Sequence, residues 1–385
     1  MHFFDNILTH YGWQGIALLG VLLVLFAVQF YYYVIAYNRI YNFRLVRTHK
    51  KHCSDPGISV IVALRGENEY FLTHELPTLL AQEYDKYEVV VVYIGGDADF
   101  YGELQRLKEN YSYLRLTKMG GNKRLYITTK QALNVGIKSA QYDNFLFTMP
   151  GSLPRSEQWV KVMSKGFERG IVVVAPSVPA IEAEGFRPWL MRVAELHRSR
   201  NAFAQAVSGK FYWAPRSNFG FTRKLYNATR GFNHLNLDLG ENDLYLQSIA
   251  TPRRTAVVLS PHAIVVEERP SEWRDWLEVT RYSDATLPYY PTGYKTFRNW
   301  ERYSRLLFFL VALTAMVVLP LELKIGVMVA VIVRYLLVVW SSRRSALKLG
   351  ENNIALRYWI YDLIGPLVDL IIERRPSRET ASAWR

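Results

Sequence analysis

Residues 58–94, ISVIVALRGENEYFLTHELPTLLAQEYDKYEVVVVYI, are the stretch that decides the fold. The two ends, Ile58–Leu64 and Tyr87–Ile94, are short apolar runs rich in β-branched residues, which is the pattern of strands buried on both faces. Between them, Thr73–Gln82 has its apolar residues at helical spacing. A strand, a helix and a second strand in this order predict a parallel βαβ unit, because parallel neighbours need a long crossover connection.

The same alternation continues along the chain from this unit. Further strands are predicted at 113–119, Asn144–Met149 and Ile171–Pro176, and further helices at 100–111 and Thr129–Gln141. This pattern predicts a mostly parallel sheet covered by helices on both faces. Ligands of such sheets bind beyond the carboxyl ends of the strands, so we expect the chemistry in the loops after Leu64, Ile94 and Met149.

The N-terminal end of the chain carries a long apolar run, Gly15–Tyr37. At 1.5 Å per residue it spans about 34 Å, enough to cross a hydrocarbon core of about 30 Å. The residues before the run carry an Asp and lack the positive region of a signal peptide, so a permanent anchor is predicted. Basic residues follow the run up to Lys51, which predicts that this flank is cytoplasmic.

Two further apolar segments, Leu306–Leu321 and Ile325–Trp340, lie near the C-terminus. Arginines flank the pair on both sides, which predicts a hairpin that returns to the cytoplasm. Each limb has only 16 residues, so a re-entrant hairpin remains an alternative to a full crossing. Arg334 lies inside the second limb, where a charge is costly, and it is expected to face protein or a lipid phosphate.

The segment that follows, Ile354–Arg375, is amphipathic and contains the pair Gly365-Pro366. We expect a pair of interfacial helices broken at that point rather than another crossing. The predicted organisation is an N-terminal segment (1–14), an anchor (15–37), a basic linker (38–55), a cytoplasmic α/β domain (56–300), a hairpin (306–340) and an amphipathic C-terminal region (341–385). The predicted location is therefore the inner membrane, with several crossings.

Composition narrows the functional classes for these 385 residues. Lys and Arg outnumber Asp and Glu by 47 to 34, giving a net charge of +13, and much of this excess brackets the apolar segments. No base-reading motif is visible, so nucleic acid is not an expected partner. A single cysteine, Cys53, excludes a disulfide framework. The nearby His49–Cys53 cluster lacks a carboxylate, and a metal site there is not expected.

Four segments carry a resemblance to a known family. In order they are YEVVVVYIGG (87–96), TTKQALNVGIKSA (128–140), FLFTMPGSLPRSEQWV (145–160) and GENDLYL (240–246). Over about residues 56–285 the chain resembles the processive and membrane-bound family 2 glycosyltransferases. The resemblance implies a GT-A fold, a nucleotide-sugar donor and inverting transfer helped by a divalent cation.

The carboxylates that this family uses are mostly absent at the matching positions. The family carries an Asp at the end of the second strand, a metal-binding DxD after a later strand, and a catalytic Asp in a TED or GED motif. Here these positions read Ile94, Met149-Pro150-Gly151 and Asn242. No side-chain metal site is therefore predicted, and Mg²⁺ or Mn²⁺ is not expected unless a carboxylate reaches the loop from elsewhere in the fold.

Several residues still match positions that bind substrate in the family. The resemblance implies catalytic roles for Glu241, Asp243 and Arg281, the last from the family's QxxRW motif, and donor contacts for Glu67, Asp97, Lys130 and Arg216. Each also has a purely structural interpretation. Glu241 and Asp243 could cap the helix that follows them, Asp97 could serve a turn, and Lys130 could be a solvated helix residue.

Two functions remain open at this stage. The first is a pseudoglycosyltransferase that keeps the fold, has lost or altered the chemistry, and binds a partner envelope protein. The second is an active, metal-independent transferase in which Arg155, Arg216 or Arg281 neutralises the diphosphate. Its donor would be a nucleotide sugar and its acceptor a lipid-linked or polysaccharide chain at the membrane lipid surface. Whether the protein is an enzyme is thus left open.

Overall fold

The computed structural model describes residues 2–44, 55–120, 127–168, 172–232, 239–351 and 358–373, with side chains from residue 12 onward. The cluster His49–Cys53 lies outside the described residues. Ten strands are described, namely β1 (Ile58–Arg65), β2 (Tyr87–Ile94), β3 (Leu114–Met119), β4 (Asn144–Thr148), β5 (Ser152–Pro154), β6 (Val172–Val174), β7 (Ser177–Ala180), β8 (Phe219–Thr222), β9 (Thr255–Val257) and β10 (Val265–Glu268).

Seven of these strands form the main sheet, in the order β3-β2-β1-β4-β8-β6-β9. Only β8 runs antiparallel to its neighbours β4 and β6, so the sheet is mostly parallel, as the sequence predicts. A second, small sheet has the order β5-β10-β7 and lies beside the end of β4.

Helices join and cover these strands. Those of the domain are α3 (Leu76–Leu80, after a π-helical turn at Phe71–Glu75), α4 (Ala98–Asn110), α5 (Thr129–Ser139), α6 (Trp159–Phe167), α7 (Phe186–Ala206), α8 (Arg223–Ala228), α9 (Leu244–Ile249) and α10 (Trp273–Ser283). The predicted helices at 100–111 and Thr129–Gln141 are confirmed as α4 and α5. A capping box between Thr128 and Gln131 begins α5. Gly136 lets this helix approach the sheet, since a Cβ there would lie 2.5 Å from Ile61 Cγ2.

The apolar ends of the chain also fold as helices. They are α1 (His2–Phe30), a π-helical turn (Tyr31–Ala36), α2 (Asn38–Asn42), α11 (Thr292–Val318), α12 (Leu321–Leu349) and α13 (Tyr358–Glu373). Two helical stretches, Gly12–Asn42 and Leu321–Leu349, are long and apolar enough to cross a membrane. The first limb of the predicted hairpin is the end of a longer helix, α11, which begins inside the predicted domain.

The expected break at Gly365-Pro366 is wrong, because α13 is one helix with Pro366 in its interior. A proline removes one helical hydrogen bond. Helices α7, α11 and α12 contact α13. Residues on both sides of the proline are buried, namely Tyr361 before it and Val368 and Ile372 after it, and this packing holds the helix together across the proline.

Arg334 of α12 faces protein, as the sequence analysis expects for a charge inside an apolar helix. Its Nη2 lies 2.7 Å from Gln29 Oε1 of α1 and 3.1 Å from Asp362 Oδ1 of α13. A second bond joins Nη1 to the same carboxylate, and Tyr33 donates to it at 2.8 Å. One buried ion pair thus joins three helices.

The largest of three hydrophobic clusters among the described residues runs from the sheet into the terminal helices. It contains Phe147 of β4, Phe203 of α7, Tyr37 between the π-helical turn and α2, and Val338 of α12. The guanidinium of Arg200, on α7, lies 4.1 Å from the Tyr37 ring centre. The sheet and the terminal helices therefore form one packed unit.

Candidate functional site

The carboxyl ends of the central strands meet at one edge of the main sheet. Arg65 pairs with Ile94, and Ile94 with Met119, so β1, β2 and β3 end side by side. β4 ends on the same side with Thr148, and β8 begins there, with Phe219 opposite Phe147. The loops 66–70, 95–97, 149–151 and 214–218 therefore surround this edge, which is where the sequence places the site.

The loop at the DxD position, Met149–Gly151, closes on itself. The Thr148 and Ser152 hydroxyls are 2.9 Å apart, and the Ser152 hydroxyl also bonds the Met149 backbone. Gly151 has a φ of +80°, which favours glycine. The hydroxyl groups of Thr148 and Ser152 therefore stabilise the turn itself.

Two carboxylate residues that the sequence analysis missed border this loop. Glu75 Oε1 accepts from Gly151 N at 2.8 Å, and Glu268 N donates to Gly151 O at 2.7 Å. The pKa of Glu75 is raised to about 7, mainly by burial; the Gly151 hydrogen bond lowers it and the Glu268 charge adds to the rise. Helical spacing with Leu72 and Leu79 is the signal that could have revealed a buried acid here.

These residues do not fit a divalent cation. Mg²⁺ and Ca²⁺ take about six or more oxygen ligands, yet no group of three or more His, Cys, Asp or Glu side chains suited to a metal occurs among the described residues. Glu75 does lie within reach of the loop, but one of its oxygens is already bonded to backbone. A single buried carboxylate does not replace the pair of a DxD.

Glu241 and Arg216, both predicted site residues, meet at this edge. Arg216 Nε donates to Glu241 Oε1 at 2.6 Å. Glu241 is only 2% exposed, and its other oxygen, Oε2, has no hydrogen-bond partner among the described residues. Next to it, Asn242 Nδ2 donates to Ala214 O at 2.5 Å and Ala214 N donates back to Asn242 O at 3.1 Å. The Asn242 side chain therefore fixes the 214–218 loop.

Asp243 is fully engaged in structural contacts. It caps α9 through Leu244 N, and its Oδ2 accepts from Tyr290 OH at 2.8 Å and from the Thr286 hydroxyl. Burial raises the pKa of Asp243 and these bonds oppose the shift. These contacts agree with the interpretation of Asp243 as a helix cap. They also connect α9 to the segment between α10 and α11.

The four remaining predicted site residues have different surroundings. Glu67 is exposed in the loop after β1, and Asp97 caps α4 by accepting from Phe100 N at 2.6 Å. Lys130 is completely buried in the first turn of α5, so its interpretation as a solvated helix residue is wrong. Arg281 instead donates to Ile371 O at 2.8 Å and Ile372 O at 3.1 Å, near the C-terminal end of α13.

Glu267 is a further residue that the sequence analysis missed. It accepts from the Ser217 hydroxyl and lies 2.8 Å from Arg269 Nη2. It is 4% exposed and joins β10 to the 214–218 loop. The run EERP directly after the strand residues Val265-Val266 is the signal that could have indicated it.

Comparison with known proteins shows similarity at the level of structure. No protein-family model matches the sequence, and no curated protein matches it significantly. The mannosyltransferase PcManGT from Pyrobaculum calidifontis, solved with GDP-Man and Mn²⁺, aligns with a TM-score of 0.53 at 17% identity, over 90% of this chain and 99% of that one. S. aureus TarS 1–349 aligns with a TM-score of 0.43 at 16% identity, over 80% of this chain and 88% of that one. The match shows that the chain shares the fold of the mannosyltransferase PcManGT, which supports the GT-A-like fold that the resemblance implies.

Proposed function

We propose that the chain is a membrane-anchored pseudoglycosyltransferase, which keeps the glycosyltransferase fold but has lost metal-dependent sugar transfer. The closed Met149–Gly151 loop carries this proposal. Cation-assisted transfer needs carboxylate oxygens at the leaving diphosphate, and this loop presents none. Asn242 and Asp243, at and beside the base position, are engaged in bonds that shape the protein.

Exposed apolar side chains support the membrane anchor. They cover α1 between Trp13 and Tyr31, α11 between Trp300 and Val318, and α12 between Leu321 and Trp340. At 1.5 Å per residue these intervals span about 27, 27 and 29 Å, close to a hydrocarbon core of about 30 Å. The similar lengths of the three intervals support a proposal in which α11 crosses beside the two helices that are apolar enough to span a membrane, rather than a re-entrant hairpin.

Exposed aromatic residues mark the boundary of this apolar surface. Tyr31, Trp300, Tyr303 and Trp340 lie at the ends of the apolar intervals that are nearest the α/β domain. Tyrosine and tryptophan are enriched at the interface between membrane and water. Arg343 follows directly, so we propose that the domain faces the cytoplasm at the inner membrane.

Helix α13 fits the surface of such a membrane. Trp359, Leu363, Leu367 and Ile371 are exposed and follow each other at intervals of four residues, so they form one apolar stripe. The opposite face packs on the protein. A helix with this pattern lies in the plane of the interface, as expected for the C-terminal region.

One observation favours an active, metal-independent transferase as the second candidate. The Arg216–Glu241 pair places a cation and a carboxylate at the sheet edge, and Glu241 Oε2 has no hydrogen-bond partner among the described residues. Arg216 would contact the donor diphosphate and Glu241 would accept a proton from an acceptor hydroxyl. In this second candidate the acceptor would be a lipid-linked or polysaccharide chain. In the first candidate, the pseudoglycosyltransferase, the binding partner would be an envelope protein.

The test uses the full chain purified in detergent. Calorimetry measures binding of UDP, GDP, UDP-GlcNAc and GDP-mannose with and without Mn²⁺, and a coupled assay measures release of nucleoside diphosphate. We expect that Mn²⁺ does not strengthen nucleotide binding and that no diphosphate is released. In the variant Met149→Asp/Gly151→Asp, which restores two carboxylates, Mn²⁺ should strengthen binding.

The possible results separate the candidates. Mn²⁺-dependent nucleotide binding by the unaltered chain would contradict the loss of the metal site. Metal-independent release of diphosphate that disappears in Glu241→Gln would establish the second candidate instead. Glu109→Gln, at an exposed position near the end of α4, serves as the matched control for the loss of one carboxylate.

A further inference from the structure

A cluster of basic side chains lies where the first and last apolar helices reach the α/β domain. Helix α2 packs on the end of α12, and both elements carry arginine. We call this cluster the basic patch; its members are Arg39 of α2, Arg44 just after α2, and Arg343, Arg344 and Lys348 of α12. The segments 38–44 and 340–349 that contribute them hold no Asp or Glu. None of the five is a predicted catalytic or donor-binding residue.

The positive charge of the basic patch is not balanced by the protein. Elsewhere in the terminal helices, arginines such as Arg302 and Arg334 pair with carboxylates. None of the five cations of the basic patch forms an ion pair with a carboxylate among the described residues. Three of them are exposed and two are half-buried. The surface therefore presents uncompensated positive charge to its surroundings.

The Arg344 side chain is held in place within this patch. Its guanidinium lies 4.0 Å from the Tyr41 ring centre and 4.8 Å from the Trp340 ring centre. Its Nη2 also donates to Asn42 Oδ1 at 3.1 Å. These contacts fix a planar cation without neutralising it, so little side-chain freedom is lost when an anion binds. Guanidinium groups pair well with phosphate oxygens.

The basic patch directly continues the lipid-facing stripe of α12. The exposed residues at this end of the helix follow each other at intervals of four, three and four, and so share one face: Leu336, Trp340, Arg343 and Leu347. Arg343 and Arg344 lie about 4.5–6 Å along the axis beyond Trp340. The headgroup layer on each side of a bilayer is about 5–8 Å thick. With α12 crossing the membrane as proposed above, on which this inference rests, the patch lies at the depth of the lipid phosphates.

We propose that the basic patch binds the headgroup of an anionic phospholipid of the bilayer, such as phosphatidylglycerol. The phosphate would contact Arg344, and the acyl chains would lie along the exposed stripe that contains Leu336. Five unbalanced cations attract a lipid with a net negative charge. They gain less from a zwitterionic lipid, because they repel its ammonium group. A free phosphate ion has no apolar part to place against the stripe.

Such a lipid would stabilise the junction between the domain and the membrane helices. Helix α2 packs on α7 as well as on α12, and Arg39 Nη1 donates to the hydroxyl of Ser208, just after α7, at 3.0 Å. A headgroup bound by α2 and α12 together would offset the repulsion between their like charges. We therefore expect phosphatidylglycerol to raise the Tm of the full chain, and phosphatidylcholine to raise it less.

The test uses the full chain in dodecyl maltoside after its copurified lipid has been washed away. Native mass spectrometry measures the Kd of the first bound lipid for phosphatidylglycerol, phosphatidylethanolamine and phosphatidylcholine with identical acyl chains, and calorimetry measures binding of inorganic phosphate. A cation near an anionic headgroup increases affinity about fivefold. Phosphatidylglycerol should therefore bind at least about tenfold more tightly than the other two lipids, and inorganic phosphate should show no saturable binding.

A matched pair of double variants locates the site. Arg343→Gln/Arg344→Gln should weaken phosphatidylglycerol binding about twentyfold and leave phosphatidylcholine binding unchanged. Arg106→Gln/Lys108→Gln removes the same charge from exposed positions on α4. The buried face of α4 belongs to a cluster that contains no residue of the terminal helices, so this control should keep the full preference. Circular dichroism checks that both variants fold.

Several results would overturn the proposal. These are equal affinity for the anionic and zwitterionic lipids, a preference that survives Arg343→Gln/Arg344→Gln, an equal loss in the α4 control, or binding of inorganic phosphate as tight as that of phosphatidylglycerol. Failure of the membrane anchor itself has a separate readout, because the chain would then not float with vesicles of phosphatidylcholine alone. Nucleotide binding concerns only the sheet-edge site and does not enter this test.

Discussion

Replacing Arg334 with methionine should be one of the most damaging single changes in the terminal helices. The guanidinium is 1% exposed and Asp362 is fully buried, so the substitution leaves a carboxylate in the interior without its cation. Removing one partner of a buried ion pair costs about 3–5 kcal/mol, and loss of the bond to Gln29 adds about 1 kcal/mol. We therefore expect the free energy of unfolding to fall by about 4–6 kcal/mol.

The double variant Arg334→Met/Asp362→Leu tests whether the loss of stability comes from the unpaired Asp362 carboxylate. With both charges removed, two defects remain. The Tyr33 hydroxyl loses its acceptor at 2.8 Å, at a cost of about 1–3 kcal/mol, and Gln29 Oε1 loses its donor Arg334, at the same cost of about 1 kcal/mol as in the single variant. The double variant should therefore be more stable than Arg334→Met alone. A matched control is Arg343→Met, an exposed arginine on the same helix, which should change stability by less than about 0.5 kcal/mol.

The assay is reversible unfolding of the full chain in mixed dodecyl maltoside and SDS micelles, followed by circular dichroism. The reasoning would be refuted if Arg334→Met lost less than about 1 kcal/mol. Asp362→Leu is measured as the second single variant. The reasoning would equally fail if the double variant lost the sum of what Arg334→Met and Asp362→Leu lose separately, since that result means no coupling between the partners.

Three further predictions concern the domain. The pKa of Glu75 is raised from 4.5 to about 7. Between these two pH values the folded state still holds the proton, whereas the unfolded state has released it. The free energy of unfolding should therefore fall as pH rises from about 4.5 to about 7. Glu75→Gln should flatten the dependence of Tm on pH between about 5 and 7, and an unchanged slope would contradict the assignment. Asp243→Ala should lower the free energy of unfolding by about 2–3 kcal/mol, because it removes a helix cap and two hydrogen bonds. Thr286→Val removes one of those hydrogen bonds and should cost about 1 kcal/mol. If Asp243 had only a catalytic role, neither change would lower Tm. Arg281→Gln should raise amide hydrogen exchange at the end of α13 about fivefold, corresponding to about 1 kcal/mol, whereas unchanged exchange would argue against its bonds to Ile371 and Ile372.

The sequence predicts the sheet well because its signal is local. The β-branched runs Ile58–Leu64 and Tyr87–Ile94 and the helical spacing of Thr129–Gln141 each specify an element without reference to the rest of the chain. The positions of the strand ends, and hence the edge at which the site lies, follow from them. The absence of carboxylate side chains at Met149–Gly151 can also be read directly from the residues.

The roles of individual polar residues could not be predicted, because they depend on partners far away in sequence. Asp243 is engaged by Thr286 and Tyr290, more than forty residues later, and Arg281 by carbonyls ninety residues away. Glu75 contacts Gly151 across 76 positions. Spacing patterns carry no information at such separations, so neither helical spacing nor a family motif could reveal these contacts.

The continuous core has a consequence for the order in which the protein assembles. Tyr33 and Tyr37 come from the start of the chain and Tyr358 and Tyr361 from near its end, yet all four belong to the cluster that holds Phe147 and Phe203. During synthesis the first helix emerges early, but this cluster stays open until residues after 358 have left the ribosome. The sheet can form before that moment, while α7 cannot bury its full surface. Packing of the last helices thus becomes the final step in folding the domain, and a chain truncated before α13 should remain incompletely packed.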